Sequence, residues 1–101
     1  MALTKWGFVY TLGGDGKARR RDEIGSDECR LIALGVPDVS HAADAAVELT
    51  REGCEMIEYC GAFGARAMAD VLDAVSEHDV PVGAVTYGGD ATAGLHRVFE
   101  Q

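Results

Sequence analysis

Near the start of the chain, Trp6, Phe8 and Tyr10 alternate with Gly7, Val9 and Thr11. That period of two predicts a strand over Lys5–Thr11. From residue 12 to residue 28 the pattern stops: glycines at 13, 14, 16 and 25 and a dense run of charge break both periods. A long charged loop is expected there, long enough in a small domain to be mobile or functional. Residues 29–34 (Cys-Arg-Leu-Ile-Ala-Leu) read as a second strand, ended by Gly35-Val36-Pro37. Next, Ala42, Ala45, Ala46 and Leu49 fall on one helical face, with Asp44, Glu48, Arg51 and Glu52 on the other. A helix over 41–52 follows, with Ser40 or Asp38 as its N-cap and Gly53 placed to stop it. Residues 56–60 read as a short strand. Met68, Val71, Leu72 and Val75 then mark the inner face of a second helix over 65–76. The last clear strand covers 82–87, introduced by Pro81. In the tail, 91–101, Leu95, Val98 and Phe99 fit a helix or an edge strand equally well.

Strand and helix alternate from residue 29 to residue 87, the order of a parallel sheet joined by right-handed crossovers. The expected fold is α/β: a small flavodoxin-like three-layer sandwich, with a mostly parallel four-stranded sheet and two main helices. One domain over residues 1–101 is expected, since this length leaves no room for two cores.

Charge narrows the partners. Seventeen acidic against nine basic residues give a net charge of −8, which repels nucleic acid and anionic membranes over most of the surface. No apolar stretch approaches the roughly 20 residues that span a bilayer, and the first residues lack a signal peptide's apolar region. Cys29, Cys54 and Cys60 are odd in number and lack the spacing of a secreted framework. Reduced thiols in a cytoplasm fit best. The small core and the aromatic first strand point to self-association, most simply a two-fold homodimer.

In open parallel sheets, ligands gather at the carboxyl ends of the strands. Cys60-Gly61-Ala62-Phe63-Gly64 leaves a buried strand and opens a helix, so its backbone N–H groups and the helix dipole suit an anion, or the Cys60 thiolate itself. The bland alternative is a plain turn beside a small buried hydrophobe. Neither the dinucleotide fingerprint nor the P-loop pattern is present. Glu58 sits mid-strand where flanking helices should bury it. It reads as a base of raised pKa, as a partner of Arg30, or as part of a subunit interface. Tyr87-Gly88-Gly89-Asp90 sets a phenol and a carboxylate beside a turn, and Ser40 lies at a third strand end. Lys17, Arg19, Arg20 and Arg21 form a basic run, either solvated or a clamp for an anion or an acidic partner. His41, His78 and His96 lack metal spacing, so neither metal nor cofactor is expected. Ser40, His41 and Asp38 are too close in sequence to face one another as a triad.

Two resemblances rest on these residues. The stretch from Gly53 to Gly64, with Val80-Pro81-Val82-Gly83-Ala84-Val85-Thr86-Tyr87-Gly88, resembles a family of short single-domain bacterial proteins of unknown function. It implies a compact α/β fold and no activity. A more distant likeness is to one half of the aspartate/glutamate racemases, which place a catalytic cysteine after a strand, as Cys60 is placed here. Those enzymes have Cys-Asn-Thr where this chain has Cys60-Gly61-Ala62, and they carry a second domain with a second cysteine.

The expected function is binding of a small anionic or carbonyl-bearing molecule at the 60–64 loop, with Tyr87, Gly88, Asp90 and Ser40 contributing. The alternatives are an isomerase or lyase moving protons through Cys60 or Glu58, and a regulatory or interaction subunit with no ligand.

Overall fold

The structure is a computed structural model that describes residues 2–13 and 18–100. Five strands form one sheet: β1 (Lys5–Thr11), β2 (Arg20–Gly25), β3 (Arg30–Val36), β4 (Ile57–Tyr59) and β5 (Val82–Ala84), in the order β2-β3-β1-β4-β5. Strands β3, β1, β4 and β5 run parallel, and β2 pairs antiparallel with the outer side of β3. Three helices follow, α1 (Ala42–Arg51), α2 (Ala65–Ala74) and α3 (Thr92–Phe99). The four parallel strands and the first two helices lie within a few residues of where periodicity puts them.

Two elements differ from the sequence reading. The stretch 12–28 holds a strand, β2, so the sheet has five strands rather than four. The tail resolves as a helix, α3, giving three helices rather than two. The layering differs as well. Helices α1 and α2 pack against each other on one face of the sheet, leaving two layers where a flavodoxin-like sandwich has three.

The connections account for this. From β3 through α1 to β4, and from β4 through α2 to β5, the chain steps across the sheet in one direction. Right-handed crossovers made in one direction put their helices on one face. The step from β1 to β3 runs the other way and would put a helix on the opposite face. The chain places the antiparallel strand β2 there instead, so that face receives no crossover helix.

The core lies between sheet and helices. Val9, Ile32, Leu34, Val36, Ile57 and Tyr59 from the strands meet Ala42, Ala45, Ala46, Leu49, Val71 and Val75 from the helices. The alanines of α1 bring its backbone close. A Cβ on Gly7 would stand 2.7 Å from Leu49 Cδ1, so a side chain at residue 7 would force Leu49 to shift within the core. Gly53, at φ 91°, ends that helix in the left-handed region glycine favours. The Tyr59 hydroxyl donates to the carbonyl of Ala42 at 2.8 Å, so this phenol is buried without an orphaned polar atom.

Candidate functional site

All four parallel strands end on one edge of the sheet. The chain leaves β1 toward β3 on one side and later returns to β4 on the other, so strand order reverses between β1 and β4. Ligands of open α/β sheets bind outside such a reversal. The residue next to it is Cys60, whose N–H donates to the carbonyl of Val9 at 2.9 Å. The Phe63 N–H donates to the carbonyl of Cys60 at 3.2 Å and closes the turn. The Phe63 ring is buried edge-on to Tyr59, with centroids 5.0 Å apart and planes at 79°. One aromatic anchor thus holds a loop whose other members, Gly61, Ala62 and Gly64, are exposed.

Helix α2 starts directly after this loop. Gly64 is its N-cap in extended backbone, no side chain caps the helix, and its first turn carries no acidic residue. The first-turn N–H groups and the positive end of the dipole are therefore not compensated by the helix's own sequence. Helix α1 has no side-chain cap of its own either, but a single helical turn over Val39–His41, capped by Asp38, leads into it. Asp38 accepts the N–H of Ser40 at 2.9 Å and also the Ser40 hydroxyl, and Asp44 lies in the first turn of α1. The Ser40 hydroxyl and then its N–H hold the Asp38 carboxyl below the usual Asp range. Ser40 is thus engaged in a structural cap.

Tyr87 joins the loop from the end of β5. A Cβ on Gly61 would stand 2.9 Å from Tyr87 Cε1, so the phenol ring lies against the bare backbone of Gly61. The Val85 N–H donates to the carbonyl of Tyr59 at 2.9 Å and ties the two segments together. The Asp90 carboxylate folds over Gly88, where a Cβ would meet Asp90 Oδ1 at 2.8 Å. Gly61, Ala62, Gly64, Tyr87, Gly88 and Asp90 are all exposed.

The two candidate catalytic groups are differently placed. Cys60 is half-buried against the core, and among the described residues no N–H donates to its sulfur. The turn directs the Phe63 N–H at a carbonyl oxygen instead. Glu58 is exposed, because it points to the sheet face that receives no crossover helix, beside Phe8 in register. Arg30 shares the register parity of Ile32 and Leu34, on the helix-covered face, with β1 intervening. It pairs instead with Asp27 at 3.5 Å, so the Arg30–Glu58 pair does not form.

The basic run is occupied. Arg19 pairs with Glu48 at 2.6 Å, Arg20 with Asp22 at 2.8 Å, and Arg21 with Glu52 and with Glu23. Lys17 lies outside the described residues. Arg19 and Arg21 thus clasp β2 to α1. The Arg21 guanidinium holds the Glu52 carboxyl below its usual range. An open cleft of about 510 Å³ lies beside Arg19, lined also by Asp44, Val47, Glu48, Arg51 and Glu52. Of the residues expected to form a site, only Arg19 of the basic run lines it. Within it Arg19 is paired with Glu48, and Glu52 is held by Arg21 from β2. Among the described residues no three His, Cys, Asp or Glu side chains converge as metal ligands, and no helix is long and apolar enough to cross a membrane. All three cysteines are free.

Sequence reasoning did not single out three features that shape this edge: the Tyr59–Ala42 bond beneath the loop, Arg66 in the first turn of α2, and the clasp on Glu48 and Glu52. Only Tyr59, a phenol two residues after Ile57 and so on the same strand face, carried a local signal for its role.

A family model described as a family of unknown function matches residues 4–100, nearly the whole chain. The chain belongs to that family, DUF6506. No curated protein and no solved structure matches it. Membership in DUF6506 brings no reaction with it. In this DUF6506 chain Cys60 is followed by Gly61 and Ala62, where the racemases have Asn-Thr.

Proposed function

We propose that this DUF6506 protein is a binding domain for a small anionic or carbonyl-bearing molecule, held at the sheet edge between the ends of β1 and β4. One observation carries the reading: the exposed loop of Gly61, Ala62 and Gly64 lies at the reversal of strand order and leads straight into a ten-residue helix with no side-chain cap. First-turn N–H groups of α2 would donate to the ligand's oxygens, and the side chain of Arg66 adds charge at the same helix end. The Tyr87 phenol, resting on Gly61, supplies a further donor and an apolar wall. Binding is favoured over proton-transfer catalysis because Cys60 lacks the donors that would stabilise a thiolate, and Glu58 opens onto a different face. The three free thiols fit a reducing cytoplasm.

Native mass spectrometry of protein isolated gently from its host tests the reading. The wild type should retain a small anionic or carbonyl-bearing molecule. A folded Gly61→Val variant, whose side chain displaces Tyr87 and fills the loop, should lose it. A retained molecule that this variant holds equally well would count against the site.

A further inference from the structure

We infer that the sheet face opposite α1 and α2 is an interface with a second copy of this chain. In register, that face presents Trp6, Phe8 and Tyr10 from β1, Leu31 and Ala33 from β3, and Ile24 from β2. Among the described residues no helix covers it, and Ile24 is 54% exposed. At about 3.3 Å per residue and 4.8 Å between strands, β1, β2 and β3 alone span roughly 300 Å² of flat face. Side-chain relief, the shorter strands and α3 add to this, against about 800 Å² per partner in a standard interface. Apolar patches of a few hundred Å² are often functional.

Helix α3 is a second apolar surface without a partner in its own chain. Leu95, Val98 and Phe99 share one side by spacing, yet Val98 is 65% and Phe99 79% exposed. The helix packs chiefly on the turn Gly89–Ala91 that leads into it. A radius of gyration of 14.2 Å, against about 12.7 Å for a compact chain of this length, fits an element standing off the body.

Charge selects the occupant. The chain carries a net −8; on the helical layer Glu48 and Glu52 are paired with Arg19 and Arg21, which leaves Asp44, Asp70 and Asp73 beside Arg51 and Arg66. On the open face Asp22 is neutralised by Arg20, which leaves Glu58. Two such acidic chains meeting through this face bring only one unpaired carboxylate each to the contact. Arg97 of α3 has no ion-pair partner among the described residues, and neither has Glu58. An α3 laid along the second copy's sheet offers Glu58 that opposite charge and covers the aromatic row.

Trp6 is the chain's single tryptophan and lies within the inferred contact. Light scattering at micromolar concentration should give twice the chain mass. Trp6 emission should be blue-shifted and shielded from acrylamide in the same samples. Ile24→Lys should weaken association by about tenfold or more and expose Trp6 to the quencher, with the far-ultraviolet dichroism unchanged. Phe99→Glu, on a helix that contributes nothing to the core, gives the same reading should the first variant fail to fold. A monomer with Trp6 open to quencher, or a dimer whose mass and Trp6 shielding survive the folded variant, overturns the inference. The ligand proposal stands on other residues, so either can fail alone.

Discussion

The ring of Tyr87 rests on Gly61, so close that a Cβ at residue 61 would come within 2.9 Å of Tyr87 Cε1. The contact joins the segments that follow β4 and β5. Because Tyr87 is 56% exposed, its ring can swing into solvent at little cost. Gly61→Ala should therefore change stability by about 1 kcal/mol or less, while removing the aromatic wall and weakening ligand binding. Urea denaturation beside a binding titration checks both halves. Equal losses in stability and affinity would make the contact structural only.

Tyr59 bears the opposite balance. Its hydroxyl is buried and donates to the Ala42 carbonyl at 2.8 Å, joining the end of β4 to the start of α1. Tyr59→Phe leaves that carbonyl without this donor and should cost about 1–2 kcal/mol. Glu58→Gln, one residue earlier on the uncovered face, should stay within about 0.5 kcal/mol in the monomer. Chemical denaturation of the two variants under one set of conditions compares them. A larger loss for Glu58→Gln would contradict the assignment of faces.

Acid should loosen the attachments of β1, β2 and α1. Glu55 accepts the N–H and hydroxyl of Thr4 and the N–H of Lys5, which hold its carboxyl below the ordinary 4.5. Asp38 and Glu52 are lowered by Ser40 and Arg21 respectively. Groups with folded pKa values below their unfolded values stabilise fully above the unfolded value, and that contribution fades as pH falls through the folded one. Melting temperature should thus be level above the ordinary carboxylate range and drop below it. The drop should be smaller in Glu55→Gln than in the wild type.

How much of this the sequence revealed depended on where the information lay. The strands of the core and both core helices announced themselves through Val9, Ile32, Leu34, Leu49 and Val71, because burial on one side imposes a period. Strand β2 did not. Arg20-Arg21-Asp22-Glu23-Ile24 carries charge on both faces, as protected edge strands do, and Glu52, the partner of Arg21, is 31 residues away. Glu58 looked anomalous only on the assumption that helices cover both faces. The direction of the crossovers, which no local pattern encodes, removes one layer and exposes it. The 60–64 loop was legible from its glycines, whereas the reversal of strand order beside it required the topology.

The thiols should react in an order set by burial. Cys54 is buried, and burial pushes its thiol up to about 11, whereas Cys29 and Cys60 are partly exposed. Alkylation of the folded protein near neutral pH should modify Cys29 and Cys60 first and leave Cys54 until unfolding. The raised value also makes stability fall as pH climbs from 9.0 toward about 11. Peptide mass mapping over time resolves the order, and early loss of Cys54 would show the core to be open.

The most direct test of the ligand site follows backbone amides during titration with inorganic phosphate and with pyruvate, the simplest anionic and carbonyl-bearing probes. The account predicts saturable shifts at Gly61, Ala62, Gly64, Ala65 and Arg66, with a smaller response at Tyr87. Amides in the turn that leads into α1, at Ser40 and His41, should stay still because they already donate to the Asp38 carboxylate and carbonyl respectively. Shifts that saturate beside Arg19 and Arg51 while the 60–64 loop remains unmoved would contradict the account and move the site to the cleft on α1.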